Sequence, residues 1–311
     1  MTAIIIYGGS SQDAINLSHQ LSTHKLHHVL VFRSTPRSFA NSTYRTCLTS
    51  DYSCSHLKYL TTYFKPSTVF NFVGQSSVGL SFSCEDLTFY ANYTLALRLA
   101  ETTLSYSQAH FYHPSSAYIF DCSSPVGPNS KLRPISPYAS SKAKAYSFLK
   151  HTYASSARIS FLHFFNHVSQ YSSSQFIIPK IIRAFLSTPR SETILSLGDV
   201  NKRRDWSMSS DFMSILASSC TLNTPLAPEL FLSSNLNLSV NDIVTSISHH
   251  LNQSYTINPT CSVSRPWDPD QVTICPDLLD SQPFLPRYTA TNFIQSLCND
   301  FSHGYTLDVL S

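Results

Sequence analysis

Short β-branched apolar runs that alternate with helix-periodic segments constrain this chain more than any other feature. The run AIIIYGG ends in turn residues. Residues 12–23 follow, with Ile15, Leu17 and Leu21 toward one face, and a second run, HHVLVF, comes next. Two strands joined through a helix lie parallel, because the crossover carries the chain back to the same edge. The alternation continues through STVFNFV, a long helix over 85–106, the strand HFYHPSS, a helix over 136–153 and the strand ARISFLHFF.

Such a pattern, sustained over about 165 residues, predicts an α/β fold built on a Rossmann-like doubly wound parallel sheet. Residues 1–165 are expected to bind a dinucleotide. Residues 166–311 are less regular and richer in Ser, Pro and Asn, with helices expected at 177–186, 211–218, 240–251 and 289–301. They are expected to form mainly a smaller C-terminal substrate-binding lobe, interleaved with the last strands of the sheet.

Composition narrows the function. Charged residues are only 13% and the net charge is +3, with no basic stripe, so nucleic acid is not an expected partner. No apolar run approaches the ~18 residues of a membrane span. The opening MTAIIIYGGSS lacks the regions of a signal peptide, so a cytoplasmic protein without a membrane partner is expected. Eight cysteines without a C-x-x-C pair point to free thiols and no metal centre. His19, His24, His27 and His28 lack metal-site spacing and read as a solvated helix surface and turn.

Gly8 and Gly9 stand between a strand and a helix, where backbone N–H groups and a helix N-terminus can hold a pyrophosphate. The later glycines of that fingerprint are Ser11 and Ala14 here. After the second strand come Arg33, Ser34 and Arg37 and no acid, which suits the 2′-phosphate of NADP better than the bare ribose of NAD. The stretch SPYASSKAKAYSFLK contains Tyr-x-x-x-Lys twice. Ser136 can cap this helix and Pro137 open it, which puts Tyr138 near the N-terminus with Lys142 one turn on. There the dipole and the ammonium are both expected to favour the phenolate. Tyr146 and Lys150 read as the outward continuation of the helix. PSSAY ends the strand upstream, where Ser115 or Ser116 could hydrogen-bond a substrate oxygen.

Ser116 followed by Tyr138-x-x-x-Lys142 resembles the extended short-chain dehydrogenase/reductases. The segments KPSTVFNFVGQSSVGLSF, SPYASSKAKAY, FFNHVS and LSLGDVNKRRDWSMSSDF, in that order, resemble parts of the GDP-mannose 4,6-dehydratase family, and SRPWD resembles its Arg-Pro-x-Glu. The resemblance implies a lyase of nucleotide-sugar metabolism that converts GDP-mannose to GDP-4-keto-6-deoxymannose with tightly bound NADP, as a homodimer rather than a tetramer. It implies Gly8, Ser11, Gln12 and Asp13 at the cofactor pyrophosphate, Arg33 and Ser34 at the 2′-phosphate and Asp51 at the adenine. Phe72, Val73, Gly74, Gln75 and Ser76 would line the nicotinamide side, Lys142 the nicotinamide ribose, and His167 would touch the cofactor. Asn166, Lys180, Arg204 and Arg265 would hold the nucleotide and diphosphate, and Ser116, Tyr138 and Lys142 would carry the redox step.

The pattern breaks at one catalytic position. The family places a glutamate two residues after the Ser/Thr to remove the C5 proton, and this chain has Tyr118 there. Tyrosine is a poor base near neutral pH. Three readings stay open: a dehydratase, a redox-only 4-epimerase or keto-reductase, and a nucleotide- or partner-binding pseudoenzyme. Asp121 is the nearby acid that could substitute. Tyr171, Ser172 and Ser173 replace an Arg-Arg-Gly run, and Asp268 replaces the last glutamate.

Overall fold

The computed structural model describes residues 3–33, 44–48, 52–188, 192–260, 268–278 and 288–302. In the first half, strands β1 (Ala3–Tyr7), β2 (His28–Phe32), β3 (Tyr44–Leu48), β4 (Pro66–Asn71), β5 (His110–Ser116) and β6 (Ile159–Phe164) carry the sheet. Between them run helices α1 (Gln12–Thr23), α2 (Cys54–Phe64), α3 (Val78–Ser81), α4 (Glu85–Phe89), α5 (Leu95–Tyr106) and α6 (Pro137–Thr152). The second half adds β7 (Asn166–Val168), α7 (Ile177–Ser187), β8 (Thr193–Leu197), β9 (Arg203–Met208), α8 (Ser209–Thr221), β10 (Glu229–Leu232) and β11 (Asn237–Ser239). It ends with α9 (Val240–Leu251), β12 (Tyr255–Pro259), β13 (Gln271–Val272) and α10 (Ala290–Ser302).

Seven strands form one sheet in the order β10-β6-β5-β4-β1-β2-β3, and every pairing is parallel. The order reverses between β1 and β4, which opens a crevice at their carboxyl ends. Both faces of the sheet are covered. Ile5 and Tyr7 pack with Leu57, Leu99 and Leu149 of α2, α5 and α6, whereas Ile4 and Ile6 pack with Leu17 of α1 and Phe212 of α8. Burial on both sides explains why β1 is apolar throughout instead of alternating. A third cluster, including Ile181, Trp206, Ile243 and Phe293, is the core of the smaller unit. There β9 pairs with β7, β11 and β13.

Seven glycines in 311 residues leave left-handed helix ends to other side chains. Lys65 (φ 45) ends α2 and Asn252 (φ 50) ends α9, at roughly 1 kcal/mol each relative to glycine. The 85–106 helix is not continuous α-helix as expected: a π segment, Tyr90–Thr94, joins α4 to α5. His28 also departs from the solvated reading. It is buried, with Nε2 2.7 Å from Ser18 Oγ and Nδ1 2.9 Å from the Leu26 carbonyl.

Candidate active site

The crevice is built from its glycine turn outward. Gly8 has φ 81, and a Cβ there would stand 2.5 Å from the backbone C and O of Phe72. The β1–α1 turn therefore presses against the segment that follows β4. Ser11 caps α1, its Oγ accepting from Ala14 N at 3.1 Å. Gln12 and Asp13, in the first turn, reach across to the second half of the chain. The Gln12 amide donates to the His167 carbonyl at 3.4 Å, and its Oε1 accepts from Ser169 Oγ at 3.3 Å and from Ser172 Oγ.

Asp13 accepts from Ser209 Oγ at 2.7 Å and lies 3.0 Å from His167 Nε2. The Phe165 carbonyl, 2.9 Å from His167 Nδ1, can only accept, so Nδ1 carries a proton. Burial pushes the imidazole pKa down, but the Asp13 carboxylate outweighs it and the net shift is upward. Burial likewise pushes Asp13 up, and His167 more than reverses that. The result is a partly buried ion pair between α1 and β7.

On α6, Ser136 Oγ accepts from Ala139 N at 3.1 Å and Pro137 fills the first turn. Lys142 is 6% exposed and donates to the Pro114 carbonyl at 3.0 Å. Burial lowers its pKa to about 8, with Asp13 opposing. Tyr138 is hydrogen-bonded to Ser116, yet burial raises its pKa to about 12. This reverses the expectation that the helix dipole and Lys142 would favour the phenolate. The ammonium is committed to the Pro114 carbonyl, and desolvation dominates.

Ser116 Oγ accepts from Tyr118 N at 3.2 Å. The Tyr118 hydroxyl accepts from Arg204 Nε at 2.7 Å and donates to Asn166 Oδ1 at 3.5 Å, while Arg204 Nη2 donates to Asp268 Oδ1 at 2.6 Å. Three residues read from the sequence thus meet in one knot, closed by Asp268. Asp121 does not enter it. Its carboxylate pairs with Arg133 at 3.5 Å, where Arg133 is exposed. Lys180 is exposed on α7 and donates to the Ser196 carbonyl at 2.6 Å, with no bond to the knot.

Arg33 is exposed just beyond β2. Phe72 is buried, Val73 N donates to Asn71 Oδ1 at 3.0 Å, and Gly74 and Ser76 are exposed around Gln75. Ser34, Asp51 and Arg265 lie outside the described residues. The second Tyr-x-x-x-Lys is not an outward continuation. Tyr146 is buried and donates to Glu229 Oε2 at 3.1 Å, and Lys150 donates to Tyr146 Oη at 2.7 Å and Glu229 Oε1 at 2.6 Å. It fastens α6 to β10.

Sequence reasoning missed Asn92. The π segment turns it inward, 1% exposed, where Oδ1 accepts from Gln75 N at 2.8 Å. Its Nδ2 donates to the Gln75 carbonyl at 3.0 Å and Ser141 Oγ at 3.1 Å. One amide thereby fixes the segment after β4 against α6. The available signal was a single asparagine in mid-helix, which is ambiguous by itself. Asp205 was also missed. It is buried, its pKa pushed by burial up to about 6, and it accepts from Ser233 Oγ at 2.5 Å, tying β9 to the segment after β10.

A family model described as GDP-mannose 4,6 dehydratase matches residues 6–265. The chain belongs to the GDP-mannose 4,6 dehydratase family. GDP-mannose 4,6 dehydratase 1 of Arabidopsis thaliana is 32% identical over 161 residues, 48% of this chain and 44% of that one. GDP-mannose 4,6-dehydratase of Sinorhizobium fredii is 28% identical over 171 residues, 52% of this chain and 48% of that one. The chain therefore aligns with about half the length of these relatives. By fold, it is similar to a UDP-glucose 4-epimerase of Thermus thermophilus crystallised with NAD (TM-score 0.82, 17% identity, covering 97% and 100% of the two chains). It is also similar to a dTDP-glucose 4,6-dehydratase of Bacillus anthracis in complex with NAD (TM-score 0.79, 16% identity, 97% and 97%). Among the described residues of this dehydratase-family chain, no helix is long and apolar enough to cross a membrane. No group of three or more His, Cys, Asp or Glu that could hold a metal occurs there either.

Proposed function

We propose that this chain oxidises the C4 hydroxyl of a nucleotide-diphosphate hexose with NADP, GDP-mannose being the substrate favoured by its family, as the opening step of a 4,6-dehydratase-type reaction. The observation that carries the reading is the convergence, at the carboxyl edge of the sheet, of Ser116 at the end of β5 with Tyr138 and Lys142, one turn apart on α6 and both within electrostatic reach of Asp13 in the first turn of α1. The residues present fit a nicotinamide dinucleotide. The Ser11-capped N-terminus of α1 suits a pyrophosphate, Arg33 is an exposed cation where an acid would select NAD, and the Lys142 ammonium is buried beside Gly74. When bound, the cofactor supplies the hydride acceptor.

The chain's own residues handle the proton. Ser116 orients the substrate oxygen. Tyr138 first gives up its own proton and, as phenolate, then takes the proton of the C4 hydroxyl as hydride leaves C4, and Lys142 one turn on would lower the cost of that phenolate. Burial holds Tyr138 in the phenol form at rest, so proton transfer depends on the ligands that complete the crevice.

A redox-only reading, a 4-epimerase or keto-reductase, is favoured by one specific observation. Tyr118, in the elimination-base position, has its hydroxyl engaged by Arg204 and Asn166. Incubation of purified protein with GDP-mannose and NADP separates the readings. A 4-keto-6-deoxy product, detected by mass as loss of water, supports the dehydratase. Hydride exchange at C4 without that loss supports the redox-only enzyme, and no binding or exchange removes both. A Tyr118→Glu variant is expected to raise dehydration by ~10²–10⁴-fold, the range of a placed general base, if the missing carboxylate is the defect.

A further inference from the structure

A cavity of about 740 Å³ opens at the edge of the sheet opposite Tyr138, lined by Ile4 and the amino ends of β4 and β5 and by the ends of α5 and α8. Its size is in the range of small-molecule sites, ~300–1,000 Å³, and none of the catalytic or cofactor residues lines it. His110 is part of its wall and is only 8% exposed.

The hydrogen bonds fix the state of that histidine. Its Nε2 lies 2.9 Å from Ser160 Oγ, and Ser160 donates its own proton to the Leu226 carbonyl at 3.2 Å. Nε2 must then be the donor, which leaves a lone pair on Nδ1 with no hydrogen-bond partner among the described residues. Burial, with Arg158 adding to it, lowers the imidazole pKa to about 4, so the acceptor stays neutral. A ligand that reaches this nitrogen would pair with it through an N–H or O–H donor.

Shape and charge narrow the class. The Tyr112 ring is buried between the Phe70 and His110 rings, 4.7 Å from each, so the aromatic surface open to a flat ligand is that of half-exposed Tyr106 at the rim. The lining has no carboxylate and two cations, Lys65 and Arg158. Arg158 donates to the Ser107 and Leu104 carbonyls at 2.7 and 2.9 Å, at the C-terminus of α5. The cations repel a cationic ligand, while helix C-termini disfavour an anion. Gln108 and Asn223 add amides that pair with hydroxyl groups.

We propose that this cavity binds a flat, neutral heterocycle whose N–H group meets His110 Nδ1 and whose attached hydroxyls meet the rim amides, the chemistry of a nucleoside. The test is calorimetric titration of the whole protein with adenosine, guanosine and cytidine, one at a time. Thr224→Trp, an exposed rim substitution that blocks the mouth, and His110→Phe, which removes the acceptor, serve as variants. The expected result is saturable binding of at least one nucleoside that weakens at least ~10-fold in both variants, about the 1.4 kcal/mol of one lost hydrogen bond. Absence of binding overturns the proposal, as does binding that Thr224→Trp leaves intact. Since Thr224 is exposed, its variant decides the matter even if His110→Phe does not fold.

Discussion

Replacing Lys142 by methionine should change stability in a way that exposes the thermodynamic cost of the site. The ammonium is 6% exposed, and burial lowers its pKa from the ordinary 10.5 to about 8. At ~1.4 kcal/mol per pH unit, that shift is about 3 kcal/mol of destabilisation by the charged form. The sign follows from proton binding. Between pH 8 and 10.5 the unfolded chain holds the proton and the folded chain does not, so wild-type stability rises with pH across that window. Below pH 8 the cost is fully present. Methionine removes it but leaves the Pro114 carbonyl without its donor, a loss of ~1–3 kcal/mol. Urea denaturation without cofactor should find Lys142→Met equal to wild type or up to about 2 kcal/mol more stable at pH 7. Relative to wild type it should fall by about 3 kcal/mol as pH rises from 8 to 10.5. A difference that stays flat across this window would refute the reasoning, because it would mean that Lys142 ionises as it does in water.

Gly8→Ala should cost ~2–5 kcal/mol by denaturation and weaken dinucleotide binding, because the added methyl meets Phe72 backbone at 2.5 Å at a left-handed φ; a loss under ~1 kcal/mol would argue against the close crossing. Tyr138→Phe should abolish hydride exchange at C4 while NADP binding, followed by calorimetry, changes little. Glu229 has its pKa lowered to about 2: burial opposes the shift, and the bonds from His163 and Lys150 more than offset it. Its stabilisation is present above the ordinary 4.5 and is lost as pH falls toward 2. Because Lys150 is 54% exposed and solvent-screened, Glu229→Gln should cost only ~1–2 kcal/mol at pH 6, a gap that denaturation curves should see close in acid.

The alternation of strands and helices was legible because its signals are local. Ile4 to Ile6 fit a strand buried on both faces, and helix α9 spans Val240–Leu251 as its period predicts. The strand β3, in YRTCL, was not foreseen, since it carries no clear apolar alternation and the sheet supplies what its own sequence does not. The helix α2 was not foreseen either, although Leu57, Leu60 and Phe64 recur at helical spacing on its buried face. The site was legible residue by residue but not as an arrangement. Tyr118 could be read as a missing acid, yet its hold on Arg204 spans 86 residues of sequence. Asp13 and His167 were both read as cofactor contacts, but their pairing spans 154.

The sequence by itself determined the order of elements, the helix cap that sets Tyr138 and Lys142 one turn apart, and the absence of an acid at position 118. Each depends on neighbours a few positions away, where backbone periodicity and capping act. Only the tertiary structure decided that burial, not the helix dipole, governs Tyr138, that Asn92 faces inward through a π turn, and that the second Tyr-x-x-x-Lys is a brace to Glu229. Those outcomes depend on desolvation and on partners brought together by folding, and no spacing along the chain encodes either quantity.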